Sequence, residues 1–483
     1  MKKIFALLFI ASLVISCSED IMDDINKDRN NALDMDAMNL LPDLILKSTY
    51  GTAATDLAWY ATVFIEHNAG TWAQSWDADR RANLESSSLL NNSWNGLYNA
   101  MNSAQAIIDK TDPNTGDEPG NFYARGIAQI LMAYNLATTT DFWGKIPYDE
   151  AFQGAANLQP AYQNQSTIYP IVFSLLENGI ENMEKATRGA GDKDLIYGTL
   201  ALEANKEAWI RAAYSFKARY YLQLTNVDTN AAEKALEAAA NGFQSAAGQL
   251  LLGGFAVALP GSNPWGEFWF YREHLSVSST IDDLLTERND PRKAKMYNPD
   301  GDIAPIGTAV QTQGGYVQSN YTSGFAAMAQ PVIVFSYQEL KFIVAEAKFR
   351  TGANDWQDAL EEAVQASFNF HGAAMSGDIL DTAGVVIGSF NYFEEEVLPR
   401  LTPGNELNEI MTQKYIAFFD REAIQAYNDY RRTGLPEMKN PNNATVGFPH
   451  RAPYAVSEVA SNSANVPDID IYTDKIWWAG GTE

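Results

Sequence analysis

Over much of the chain, apolar residues recur every three or four positions. Ile168, Ile171, Val172, Leu175, Leu176, Ile180 and Met183 form one such stripe, and Ala124, Ile127, Leu131 and Tyr134 form another. That spacing lines up one face of a helix. The pattern predicts helices over 36–50, 54–67, 87–110, 121–139, 166–187, 200–225 and 231–246. It predicts a short one near 279–288, then helices over 336–351, 355–370, 392–397 and 405–431. Pro170 falls in the first turn of its helix, where no N–H is needed. Between 252 and 333 the period fades and turn residues and aromatics take over, as in Gly253-Gly254, Asn263-Pro264-Trp265-Gly266 and Gly314-Gly315-Tyr316. Residues 372–391 and 436–483 also read as loop-rich. Long loops inside compact proteins often carry function.

Two stretches have the spacing of tetratricopeptide repeats. In the first, Trp209, Ala212, Ala213 and Phe216 precede a second helix with Ala235, Leu236 and Ala239. In the other, Val344, Ala345 and Gly352 precede Trp356, Ala359 and Ala366, with a turn about two residues longer than usual. Small residues let two helices approach while the aromatic fills the gap; an alanine-rich hairpin is the plainer reading of either stretch alone. The expected fold is mainly α, tetratricopeptide-repeat-like helical hairpins with a long loop-rich insertion at about 252–333, in one domain spanning 36–483.

The N-terminus changes the picture of where the chain works. Two lysines precede an apolar run from Ile4 to Ile15, too short to span a bilayer and typical of a secretory leader. Val14-Ile15-Ser16-Cys17 follows and resembles a bacterial lipobox, with the chain's one cysteine where the lipobox needs it. Residues 1–16 are thus expected to be a lipoprotein signal peptide, and Cys17 the acylated mature N-terminus. Segment 17–35 is then an acidic tether, beginning Ser18-Glu19-Asp20. It resembles the export signal of surface lipoproteins in Bacteroidetes, and a solvated linker would look the same. Several acyl chains at about 0.8 kcal/mol per buried CH₂ give a stable anchor. A lone cysteine allows no internal disulfide, so packing alone must hold the fold.

Composition narrows the partners. The 483 residues carry 34 Lys and Arg against 60 Asp and Glu, a net charge of −26. Such a surface repels phosphate backbones and anionic headgroups, so nucleic acid is excluded as a partner and any membrane contact runs through the lipid. The four histidines, His67, His274, His371 and His450, are scattered with no metal-ligand spacing, and no cofactor motif is present, so neither metal nor cofactor is expected. There is no GxSxG, P-loop or GxGxxG after a strand, and 60 carboxylates make accidental pairs uninformative, so no enzyme activity is expected. The run Glu394-Glu395-Glu396 reads as a solvated face.

Several short motifs remain. Asp141-Phe142-Trp143-Gly144-Lys145-Ile146-Pro147-Tyr148 follows a helix, and Lys206-Glu207-Ala208-Trp209 opens another that runs on through Ala218-Arg219-Tyr220-Tyr221-Leu222. Asn289-Asp290-Pro291-Arg292, Glu339, Ala345-Glu346-Ala347, Lys414-Tyr415-Ile416-Ala417, Tyr430-Arg431-Arg432-Thr433-Gly434 and a tail with Arg451, Pro453-Tyr454 and Glu458 complete the series. In this order, behind a lipobox, they resemble the SusD/RagB family of outer-membrane lipoproteins, most closely its second subfamily. The resemblance implies a non-catalytic protein on the outer face of the outer membrane that captures oligosaccharide. It also implies a SusC-like TonB-dependent transporter as partner, with this protein as its lid. Capture of peptides by the same architecture, or a scaffold that binds only proteins, stays open. Most of the motifs read as fold-defining rather than ligand-contacting.

A glycan site wants exposed aromatic faces beside planar polar side chains, and no activated nucleophile. Three segments offer this. Trp72, Trp76, Asp77 and Arg80 follow the second helix with no apolar stripe. Trp265, Trp269 and Tyr271 lie in the insertion, where helical spacing equally suits a core role. Tyr316 and Tyr321 follow a glycine pair. Trp477-Trp478 are expected to pack on the fold or a partner.

Overall fold

In the computed structural model the described residues are 35–483, apart from 86–88, 258–260, 299–300, 308–310, 317–327, 381, 383 and 420. The leader, Cys17, residues 18–34 of the acidic tether and Tyr321 lie outside them. The chain is mainly α-helical. Helix α1 (Ala37–Leu46) starts at Asp36, whose carboxylate accepts from the Met38 backbone N–H at 2.8 Å, a standard N-cap. A widened turn over Lys47–Gly51 leads to α2 (Asp56–Phe64), the short strand β1 (Asn68–Gly70) and α3 (Ala73–Asp79).

The frame is a row of antiparallel helices: α4 (Asn91–Lys110), α5 (Phe122–Trp143), α6 (Gln165–Lys185), α7 (Leu202–Gln223) and α8 (Ala231–Ala239), each packed on the next. Helix α5 is buried along almost its whole length, so it carries apolar and small residues on every face rather than one stripe. Its contact with α6 is close because Gly126 and Gly179 meet there. A Cβ at Gly179 would stand 2.7 Å from Ile130, and one at Gly126 2.8 Å from the Met183 sulfur.

After the insertion the row resumes. Helix α8 packs against α12 (Tyr337–Thr351), which pairs with α13 (Trp356–His371). Both stretches with repeat spacing therefore form helical hairpins, stacked on each other across the insertion. The insertion runs between strands β2 (Leu250–Leu252) and β4 (Val332–Phe335), which pair antiparallel. Within it lie α9 (Pro264–Glu267), β3 (Leu275–Val277), α10 (Ser279–Glu287) and α11 (Lys293–Met296). Proline at the first position of α9 and the Asn263 side chain, which accepts from the Trp265 N–H at 2.9 Å, start that helix.

Several sequence expectations are corrected. Pro170 stands at the sixth position of α6, inside the helix rather than in its first turn. The helix predicted over 231–246 stops at Ala239, and the Phe243 N–H turns to the Ser215 hydroxyl at 3.1 Å. The helix predicted over 405–431 is two, α14 (Glu406–Ala417) and α15 (Ala423–Thr433). Glu422 sits at the break, where its buried carboxylate accepts from the Ser336 N–H at 3.0 Å and hydroxyl at 2.8 Å. The stretch 372–391 holds a hairpin, β5 (Ser376–Leu380) with β6 (Val386–Asn391). Its residues are exposed or half-buried, so no inside-outside alternation marks it in the sequence. Glu396 is no free surface acid, since it accepts from Arg400 at 2.7 Å and Asn289 at 2.8 Å.

The short motifs turn out to be buried polar joints. Asp141 accepts from the Tyr169 hydroxyl and the Trp478 indole, each at 2.8 Å, from Gln223 at 3.0 Å and from Asn428 at 3.3 Å. Burial still pushes its carboxyl up to about 6. Arg219 forms a two-toothed pair with Glu339 at 2.6 and 2.5 Å. Arg432 does the same with Glu346 at 2.5 and 2.7 Å, and Arg350 reaches that carboxylate at 2.7 Å. Arg292, fully buried, binds Asp290 at 2.6 Å, Gln413 at 2.8 Å and Ser367 at 2.9 Å. Each joint ties helices far apart in sequence. His67 and His371, likewise buried, bond the backbone carbonyls of Tyr415 at 2.9 Å and Ala417 at 3.2 Å.

Candidate functional site

The three aromatic segments nominated from sequence meet at one junction. Strand β1 pairs antiparallel with β3, Gly70 opposite Leu275, and the ladder continues as Thr71 N–H donates to the His274 carbonyl at 2.8 Å. Residues 312–314 lie along the open side. Thr312 N–H donates to the Thr71 carbonyl at 2.8 Å, the Gln313 side chain to the Arg272 carbonyl at 3.1 Å, and Gly314 N–H to the Glu273 carbonyl at 3.4 Å. The backbones that carry Trp72, Tyr271 and Tyr316 are thereby fixed to one another.

Gly70 has to be glycine here. A Cβ would fall 1.7 Å from the Ser75 carbonyl oxygen, so only a bare Cα lets the first turn of α3 fold back onto β1. The next residues pay in backbone strain, since Ala73 follows Trp72 at φ +48°. Among the described residues, seven that are not glycine have positive φ: Glu66, Ala73, Arg81, Asn83, Phe152, Glu273 and Asn289. Five of these belong to the segments of this junction. Such residues cost roughly 1–3 kcal/mol each and gather at functional sites.

Trp72 and Trp76 are half-buried, with part of each ring surface reaching solvent. The Arg80 guanidinium lies 3.9 Å from the Trp76 ring centroid and covers one of its faces. Asp77 accepts from Asn83 at 3.4 Å. On the neighbouring segment Phe270 is 58% and Tyr271 52% exposed, packed edge to face at 5.3 Å, with Arg272 exposed beside them. Tyr316 is half-buried.

Trp265 and Trp269 were nominated with these, but the structure places them in the core, at 7% and 3% exposure. Four positions apart, they share the inward face of α9 and the widened turn Phe268–Arg272 that follows, where Phe268 stacks on Trp59 at 4.0 Å. Phe270 and Tyr271 take the outward face of that turn. Phe270 was missed from sequence; the inward spacing of Trp265 and Trp269 is the signal that could have found it.

A buried polar hub under the junction was also missed. The Glu66 carboxylate accepts from the Thr280 hydroxyl at 2.6 Å and from the Lys439 and Asn440 N–H groups, each at 2.8 Å. Asp79 accepts from the backbone N–H of Gly307 at 2.6 Å and from that of Gly70. Burial raises the Asp79 carboxyl to about 7, against the pull of nearby Arg81. Arg81 donates to Asn443 at 2.8 Å and to the Ala78 carbonyl at 2.8 Å. The hub joins the end of α2, α3, the insertion and residues 439–443, so the aromatic segments stand on a fixed base. Each member is one charged residue in a mixed context, with no spacing to announce it.

Chemically the junction is a ring-bearing surface with guanidinium groups and amides at its edges. Together with the frame it defines a class, a helical-repeat protein that presents aromatics on an insertion and on the segment after α2. The chain belongs to the second SusD-like family, described as starch-binding associating with outer membrane, whose profile matches residues 30–455. A SusD/RagB family protein from Bacteroides thetaiotaomicron is similar in structure, with 29% identity, a TM-score of 0.80, and 93% of this chain and 100% of that one covered. A chitin-binding SusD homologue from Flavobacterium johnsoniae shares the fold at 18% identity and TM-score 0.73, covering 92% and 98% of the two chains. No curated protein matches the sequence. Among the described residues, no helix is long and apolar enough to cross a membrane.

Proposed function

We propose that this protein is a non-catalytic glycan-binding lipoprotein of the outer membrane, anchored through Cys17 and facing outward. It captures oligosaccharide and passes it to a SusC-like TonB-dependent transporter that it covers as a lid. The observation that carries the reading is the junction of Trp72, Trp76, Tyr271 and Tyr316 on three backbone segments bonded together over a buried base. Sugar rings pack their CH faces on such aromatics while Arg80, Arg272 and Asp77 address hydroxyls. The family description and the chitin-binding relative support a polysaccharide as ligand. The lipobox supports the anchor, and the family supports the transporter. Affinity electrophoresis of the purified protein through gels holding starch, chitin fragments, xylan and other glucans tests the ligand. Retardation in at least one gel, weakened in Trp72→Ala and Tyr271→Ala variants, is expected. Unchanged mobility in every gel would overturn the glycan reading.

A further inference from the structure

Away from the aromatic junction, the frame leaves a cavity of about 960 Å³ between the segment after α8, the start of β4 and the C-terminal turns of α13. It adjoins a groove of about 670 Å³ along α13, the two sharing Tyr337, Ala366 and Asn369. The volume lies in the range of small-molecule sites, about 300–1,000 Å³.

Gln338 lies on the cavity wall and is 1% exposed. Its amide nitrogen donates to the Ala417 carbonyl and to Glu422 Oε2, each at 3.0 Å. Turning the amide over would set its oxygen against the Ala417 carbonyl, so the orientation is fixed. Its Oε1 is left without a donor among the described residues. At 1% exposure that oxygen is shielded from the cavity, so Gln338 is a fixed part of the wall and not a ligand contact.

Two further amides on the wall are turned the opposite way. Gln249 Oε1 accepts from the Tyr337 N–H at 3.2 Å, and Asn369 Oδ1 accepts from Gln365 at 3.0 Å. Each therefore keeps its NH₂ group for donation. The rings of Phe370 and Tyr337 lie on the same wall, with Lys295 and the Arg421 guanidinium, which donates to the Gln330 side-chain oxygen at 3.0 Å. Amide donors on Gln249 and Asn369, beside aromatic rings, suit a compound rich in hydroxyls.

We propose that this cavity is a second ligand site, taking a short saccharide or the end of a longer glycan independently of the aromatic junction. The choice of ligand class rests on the glycan-binding reading above, whereas the location of the site does not. The test is calorimetric titration of the full chain with maltotriose, chitotriose, cellotriose and xylotriose. The expected wild-type result is two saccharides per chain for at least one probe. One of them should survive in Trp72→Ala/Tyr271→Ala and disappear in Ala366→Trp, which fills the cavity. Should Ala366→Trp fold poorly, Gln249→Ala/Asn369→Ala is expected to weaken that same event at least fivefold and leave the other unchanged. A single saccharide per chain, abolished by Trp72→Ala and indifferent to the cavity variants, would overturn the second site and leave the glycan reading standing. A single saccharide lost only with the cavity variants would support the cavity and overturn the role given to the aromatic junction.

Discussion

Arg432 and Tyr271 illustrate two ways of spending a large polar side chain. Arg432 is buried against Glu346, every contact directed at another part of the same chain. Tyr271 stands half in solvent beside Phe270, on a turn whose Phe268 and Trp269 face inward. The joints of the frame are closed systems, with donors and acceptors matched inside the fold. The junction keeps part of its ring surface exposed on top of a matched base. Stability and binding should therefore respond to different substitutions, and that separation can be broken experimentally.

The largest effect is expected at the frame. Arg432→Ala leaves Glu346, otherwise held well below the usual carboxylate range by Arg432, buried beside Arg350 and Lys414 alone. Removing one partner of a buried pair costs about 3–5 kcal/mol. A large drop in denaturation midpoint is expected. If the variant unfolds as late as the wild type, the joints are not what holds the frame.

The mirror-image experiment is at the junction. Trp72→Ala or Tyr271→Ala should each lower glycan affinity about tenfold or more, the scale of an interface anchor, while surface truncation moves stability by only about 0.5 kcal/mol. Loss of stability without loss of affinity would place these rings among the joints and dissolve the comparison.

Titration sharpens it further. Burial raises Glu422, at the break between α14 and α15, to about 8, and Asp79, in the hub, to about 7. A carboxyl raised on folding contributes stability that is complete below its unfolded pKa and is lost as pH rises through the folded one. His67 and His371, lowered by burial to about 3, act the other way, but only below about 6.5, where the unfolded histidines take up protons. Between pH 6.5 and 8.5 the carboxyls decide, and the melting temperature should fall with rising pH, by on the order of 1–2 kcal/mol of stability. Glu422→Gln should flatten the slope. A rising or level profile in the wild type would mean that these groups are already ionised in the fold.

The same contrast explains what could be read from the sequence. Helical periodicity is repeated many times over, so the frame and both hairpins were legible, and the motifs that gave the family away are the joints themselves. Asp141, Arg219, Glu339 and Arg432 are constrained by several partners at once, which ties residue type to position. The junction depends instead on which side of one widened turn faces out. That turn sends Trp269 into the core and Tyr271 into solvent, two residues apart, and spacing alone grouped them together. Break points such as Glu422, and the hub of Glu66 and Asp79, are held chiefly by partners from 84 to 377 residues away, so no local pattern could show them.

The smallest effect concerns Trp76, which the structure presents with one face already covered. The Arg80 guanidinium, 3.9 Å from the ring centroid, holds the indole in place. An exposed contact of this kind is worth about 0.5–1 kcal/mol. Arg80→Ala should therefore weaken glycan binding only two- to fivefold, since about 1 kcal/mol corresponds to about fivefold, and should leave the melting temperature nearly unchanged. Arg80→Lys should fall between the two, because an ammonium keeps the charge but not the flat, stacking group. Calorimetry on the three proteins checks the order. Tighter binding in Arg80→Ala would mean that the guanidinium occupies the place of a sugar ring, so that the ligand-bearing face of Trp76 is the one Arg80 now covers.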